Sequence, residues 1–451
     1  MSTTFSSLRY PNYRLWFAGA LVANIGTWMQ RVAQDWLVLT ELTNDSGVAV
    51  GITTALQFGP ALLLSAYAGV LADRVDRRKL LLATNGALGL LAVGLGLLVM
   101  SGQVQLWHVY LFAFGLGCVS ALDGPPRQTF VADMVPADRL ANAVGLNSAS
   151  FNAARLIGPG VAGVLIAAVG SGWVFLINGA TFLATIAALL AMNMSAMQPR
   201  VTVPRARGQF RAGLAYVRNR TDLLVIMAVV GVISTFGLNF QLTMATMART
   251  VFDEGAGEYG MLGSVMAVGS LSGALMAARR ERPRVRLVIG AALGFGATTA
   301  VMALAPSLLT FALASIPVGF FALTLLTGAN AAIQTSTEPV MRGRVMSIYI
   351  MVLLGATPIG APFVGWVGEQ WGARWSLGIG AITALLVAGA AAVWVMRNWE
   401  LELRYTMRSR PHLQVVYPDR AAEAAAEAHR ARREAEERLE SDRATEQAQV
   451  G

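Results

Sequence analysis

About twelve long apolar blocks, separated by short loops rich in arginine, leave this chain few folds to adopt. The blocks can be drawn at about 15–40, 48–72, 80–101, 105–125, 142–168 and 172–194. A second series follows at about 222–248, 258–279, 286–305, 308–332, 344–368 and 372–397. Each holds roughly 18 to 26 residues, enough to cross a hydrocarbon layer about 30 Å thick at 1.5 Å per residue. A core helix of a water-soluble protein would carry charge at every turn of its outer face, and these blocks do not. Composition agrees, since 55% of the 451 residues are hydrophobic and 14% are charged, against roughly 25% charged in soluble domains. The fold class expected is therefore an all-α polytopic membrane protein with about twelve transmembrane helices in the lipid bilayer.

The arginines give that bundle a direction. One set of loops carries Arg9 and Arg14, then Arg74, Arg77, Arg78 and Lys79, then Arg127 and Arg139. The same side continues through Arg200 to Arg220, Arg279 to Arg286, and Arg342 with Arg344. The alternate loops are short or acidic, as at Glu41 and Asp45 or Asp253, Glu254 and Glu258. By the positive-inside rule both termini face the cytoplasm. The net charge of +9 is thus spent on topology, and no nucleic-acid partner is expected. One cysteine, Cys118, and three scattered histidines offer neither an internal disulfide nor a metal site. No phosphate-binding G-x-x-x-x-G-K-[ST] loop occurs, so neither ATP nor another cofactor is expected.

The chain repeats itself. Gly47 to Lys79 aligns loosely with Gly257 to Arg286, and both stretches end in a basic loop. Arg139 before GPGVAG at 158–163 recurs as Arg342 before APFVG at 361–365. A repeat of this size in an even number of helices is the pattern of two-fold transporter folds. The division expected is an amino-terminal six-helix bundle at 1–198, a cytoplasmic linker at 199–221, a second bundle at 222–400 and a charged tail at 401–451. The linker has an amphipathic patch (Phe210, Leu214, Tyr216, Val217) suited to the membrane surface. In the tail, Arg430, Glu434, Arg438 and Asp442 stand four residues apart, as in a solvated helix.

Polar residues within the apolar blocks are the candidate functional groups. In the first block Asn24, Thr27, Trp28, Arg31, Gln34 and Asp35 recur at helical spacing and share a face. Asp35, one turn from Arg31, stands between desolvation and a cation, two opposing pulls that suit a proton-coupling carboxylate. A permanent Arg31–Asp35 ion pair that only holds the helix is the alternative. Arg155, in the fifth block, could neutralise Asp35 or attract an anionic substrate. Asn152 of the fifth block, Asn239 and Gln241 of the seventh, and Asn330 and Gln334 of the tenth are further cavity candidates, with Gln57, Phe58 and Met244 as soft or aromatic lining.

The loop Gly69-Val-Leu-Ala-Asp73-Arg74-Val-Asp76-Arg77-Arg78-Lys79 resembles the major facilitator signature G-x-x-x-D-R-x-G-R-R, with Asp76 in place of a glycine. In that superfamily the loop latches the two halves on the cytoplasmic side with an acid low in the fourth helix. Asp123 is the match here. Gly145, Gly158-Pro159 and Gly163, with alanines at two other positions, resemble the antiporter motif of the fifth helix, and generic small-residue packing is the competing account. Segments such as Gly26-Thr-Trp-Met-Gln30, Asp123-Gly-Pro-Pro-Arg127 and Arg342-Gly-Arg-Val-Met-Ser347 look like the enterobactin-exporter-like branch. The resemblance implies a monomeric, proton-coupled exporter of small molecules such as drugs or siderophores, rather than an enzyme. A nutrient or siderophore importer or uniporter is the first alternative. A receptor or scaffold acting through the tail is the second, and deleting 405–451 would separate it from a transporter.

Overall fold

A computed structural model describes residues 3–198, 209–278, 285–398, 402–405 and 413–416. Among these, the helices are α1 (Pro11–Trp36), α2 (Gly47–Arg74), α3 (Arg77–Met100), α4 (Leu106–Phe130), α5 (Leu140–Val169) and α6 (Ser171–Ala191). A short α7 (Gln209–Arg218) precedes α8 (Thr221–Phe236), α9 (Phe240–Thr246), α10 (Ala256–Ala278), α11 (Val285–Ala303), α12 (Leu308–Ser336), α13 (Pro339–Trp371) and α14 (Ala373–Asn398). Eleven membrane spans are long and apolar enough to cross a bilayer, α8 and α9 together counting as one. The twelfth, α1, has the length at 26 residues but is too rich in polar side chains to qualify by hydropathy. It packs between α5 and α6.

The polar groups of α1 find partners there. Asn12 and Asn193 exchange hydrogen bonds of 2.7 and 2.9 Å, Thr185 donates to the Gly19 carbonyl at 3.0 Å, and Asn178 donates to Gln30. Tyr13 donates to the Ala143 carbonyl at 2.8 Å, and Trp16 meets Phe130 edge-on at 5.3 Å. Helices α1 to α6 thus pack on one another, α8 to α13 do likewise, and the two sets meet along α2–α13 and α5–α10.

Local features recur in the two sets about 200 residues apart, as a two-fold repeat requires. Wide π-helical turns close the first span at Leu37–Leu42 and the seventh at Met247–Val251. Asp45 and Asp253 then take φ of 59° and 53°, a left-handed conformation that aspartate tolerates. Gly170 and Gly372, at φ of 87° and 95°, end α5 and α13, where a side chain would be strained.

Met1–Ala388 forms one compact unit. In the second, Gly389–Gly451, strands Glu402–Tyr405 and Leu413–Val416 pair antiparallel. The predicted tail helix around 430–442 lies outside the described residues, as does 199–208 of the linker. Within the linker, α7 lies against α13, with Gly213 close to Arg344 and Val217 buried.

Asp76, at the position where the signature has glycine, has φ −60° and ψ 118° and accepts from the Lys79 amide at 2.9 Å as the N-cap of α3. No left-handed backbone is needed there, so an aspartate serves. Asp76→Ala is expected to lower stability by about 1 kcal/mol and Asp76→Gly by only a few tenths. Thermal unfolding in detergent measures the difference.

Candidate functional site

A cavity of about 200 Å³ opens between the two sets. From the first set α1 supplies Trp28 and Arg31, α2 supplies Thr54 and Phe58, and α5 supplies Arg155 and Pro159. The second set contributes the Leu238–Leu242 stretch, Tyr259 and Met266 of α10, and Leu354 and Thr357 of α13. The seventh span breaks here. Asn239, at φ −94° and ψ 40°, interrupts it between α8 and α9, and its amide donates to the Thr235 carbonyl at 2.7 Å. Irregular backbone at membrane depth is tolerated where it lines a cavity.

Two guanidinium groups enter this space. Arg31 lies over the Trp28 ring at 4.7 Å and the Phe58 ring at 5.2 Å. Arg155 lies 5.7 Å from the centre of the same indole. Neither has a carboxylate within 4.0 Å among the described residues. Asp35, only 4% exposed, acts on Arg31 through space and faces the Tyr259 phenol. Trp36 stacks on Tyr259, with ring centres 6.0 Å apart and planes 20° apart.

Of the other candidates, Trp28, Phe58, Asn239, Gln241 and Met244 line the cavity. Gln34 is buried away from it, with neither side-chain amide atom bonded. Asn24 is half-buried and Gln57 is buried beside Gly117, so neither reaches the lining. Asn152 donates back to the Ser148 carbonyl of its own helix. Asn330 and Gln334 bond to each other on an exposed face of α12. Tyr259, Phe240 and Thr54 are among the lining residues that sequence reasoning missed. A phenol in the first turn of an apolar block was the available signal for the first.

At the end of the bundle carrying the arginine-rich loops, the pairing differs from the expected latch. Arg77 donates through Nη1 to both carboxylate oxygens of Asp133, at 2.7 and 2.9 Å, rather than to Asp123. Asp133 lies past the end of α4 in a 3-10 turn, within reach of the start of α3. Asp123 instead receives Arg127 at 2.5 Å, Thr84 at 2.6 Å and Asn85 at 3.2 Å. Arg78 ties α3 to the carbonyls of Leu189 and Leu190. Arg74 is exposed at the end of α2, whereas Gly69 and the Asp73 side chain lie outside what is described.

The opposite end is closed. Ser46 and the Val48 amide donate to Glu369 at 2.5 and 2.9 Å, and Arg249 pairs with Asp45 at 3.3 Å. A side chain at Gly163 would strike the Ala256 carbonyl at 2.5 Å, and one at Gly260 would strike Pro159. Gly158 admits α1 at Trp28 in the same way, whereas Gly145 faces open space. At cavity level, Ser264 donates to the Leu156 carbonyl at 2.7 Å.

Residues 2–421 match the family profile described as a transmembrane secretion effector. The chain is 24% identical over 401 residues to the staphyloferrin A transporter of Staphylococcus aureus, covering 87% of this chain and 97% of that one. It is 26% identical over 407 residues to the multidrug efflux pump Tap of Mycolicibacterium fortuitum, covering 88% and 98%. It is 23% identical over 373 residues to the enterobactin exporter EntS of Salmonella typhimurium, covering 80% and 86%. Among solved structures, it resembles a bacterial homologue of the lysosomal transporter Spinster in an inward-facing, unoccupied conformation. The TM-score is 0.69 at 16% identity, over 86% of this chain and 97% of that one. A D-xylose–proton symporter gives 0.65 at 14% identity, over 85% and 97%.

The Arg77–Asp133 pair, about 15% exposed on each side chain, has a clear mutational signature. Asp133→Asn and Arg77→Gln are each expected to cost roughly 1–3 kcal/mol. The double variant should cost little more than either alone, with a coupling of at least about 0.5 kcal/mol in a double-mutant cycle. The same cycle on Arg77 and Asp123 should show none.

Proposed function

The chain belongs to the transmembrane secretion effector family of major facilitator transporters, and we propose that it is a proton-coupled exporter of amphipathic small molecules, drugs or siderophores among them, working by alternating access. The relatives are membrane transporters rather than enzymes. The observation that carries the reading is the polar, aromatic-lined cavity at the seam of the two helix sets, closed at the end away from the basic loops. Substrate exchange then requires the sets to part at one end and close at the other.

The arginine distribution supports an orientation in which the basic loops and both termini are cytoplasmic. In that orientation the conformation described is closed to the outside, and the cavity is filled from within. The names of relatives support the direction, since one exports enterobactin and another is a multidrug efflux pump. A monomer suffices, because one chain supplies the whole cavity.

Asp35 is the coupling residue in this reading. It is buried at the closed end of the site, with Arg31 on its own helix and Tyr259 on α10 as its polar neighbours. Opening of that end would admit a proton from outside, and closure would return the carboxylate to the influence of Arg31. At roughly 2.3 kcal/mol per charge per 100 mV, one entering proton sustains about a fifty-fold substrate gradient. Arg155 completes the charged group from α5.

In oriented proteoliposomes under an imposed pH gradient, wild type is expected to drive dye or catecholate-siderophore efflux. Asp35→Asn should abolish the gradient-driven component and keep binding. Unimpaired driven transport in that variant would remove Asp35 from the coupling role, and driven uptake by wild type would reverse the direction proposed.

A further inference from the structure

Charge accounting in the cavity narrows what it can hold. Arg31 and Arg155 both line it, and no lining residue is a carboxylate. The nearest acid, Asp35, acts on Arg31 from one turn along α1 and can compensate one guanidinium at most. With Asp35 ionised the site therefore keeps an excess of one positive charge. An unpaired cation in a largely desolvated site is unfavourable, and it seeks an anion or water.

The geometry of the two guanidinium groups is equally informative. Both lie against the same Trp28 indole, at 4.7 and 5.7 Å, so they flank one apolar plate from two helices, α1 and α5. The Phe58 ring is 5.2 Å from Arg31, and Phe240 faces the same space. The Arg31 Nε and Gln241 Nε2 donors are buried without an acceptor among the described residues. Donors without acceptors, beside aromatic surface, complement a ligand that brings acceptor oxygens and a planar apolar body.

We infer that the cavity binds an amphipathic organic anion, its acidic group held by Arg31 and Arg155 and its planar apolar part against Trp28, Phe58 and Phe240. A monoanion neutralises the site and satisfies its free donors. A cationic amphiphile of the same shape meets two like charges. The inference rests on the transport reading above but not on protonation of Asp35. It also bears on energetics, since an inside-negative potential itself drives an anion outward.

The test uses the full chain in zwitterionic-lipid nanodiscs, with empty nanodiscs as the blank. Equilibrium dialysis compares radiolabelled naphthalene-2-sulfonate with (2-naphthyl)trimethylammonium, which share a ring system and differ in charge. The anion is expected to bind at least about tenfold more tightly. Arg31→Gln and Arg155→Gln should each weaken it by about tenfold, and Arg155→Lys, which keeps the charge but loses the planar fork, should weaken it less than Arg155→Gln. An anion that binds no better than the cation, or neither probe above the blank, overturns the inference without recourse to any variant. So does unchanged anion affinity in Arg155→Gln that elutes as a monodisperse, folded protein. Proteoliposome flux keeps the two readings apart. Export of the cation alone leaves the transport reading standing and removes this one. Anion binding without movement does the reverse.

Discussion

Hydrocarbon offers a polar group no hydrogen-bond partner, and the arrangement of this protein follows from where its polar side chains obtain one. Helix α1 carries more of them than any other span and is enclosed by α5 and α6, where Asn12, Gln30 and the Gly19 carbonyl are each satisfied by α6 or the chain just after it. Arg31 is the unpartnered α1 group that turns to the seam between the helix sets, where Asn239 and Gln241 of the second set also present side-chain atoms without a partner.

The seam has two kinds of surface. Along α2–α13 and α5–α10, glycines bring backbones together at the end away from the basic loops. Toward those loops, the Arg77–Asp133 pair and the Asp123, Arg127 and Asn85 cluster brace the first set internally. The matched π-turns, left-handed aspartates and terminating glycines lie at the end away from those loops in both sets, so the closed end is built from the same local geometry twice.

Much of this was readable from residue order. Block lengths gave the number of spans, and Gly158, Pro159 and Gly163 announced a helix that others approach closely. Arg31, Asp35 and Arg155 stood out because charge is costly at that depth. The failures share a cause. Gln34 and Asn24 lie on the polar stripe of α1, yet which part of a stripe meets a cavity depends on helix rotation, and neighbours set that. Asn330 and Gln334 bond to each other along α12 and do not line this cavity. Asp133 was passed over because it follows the apolar block, although a 3-10 turn brings it back to Arg77. The break at Asn239 is silent in hydropathy, since apolar residues continue through it.

The contact of Gly47 with Gly365 and of Gly163 with Gly260 is main chain against main chain, with no side chain threaded from one helix into the other. Those two contacts have no side chain to disengage, and it is the neighbouring Ser46–Glu369 and Arg249–Asp45 bonds whose rotamers would have to be found again if the surfaces parted. A bulkier, interlocked interface would hold more tightly once and return to register more slowly.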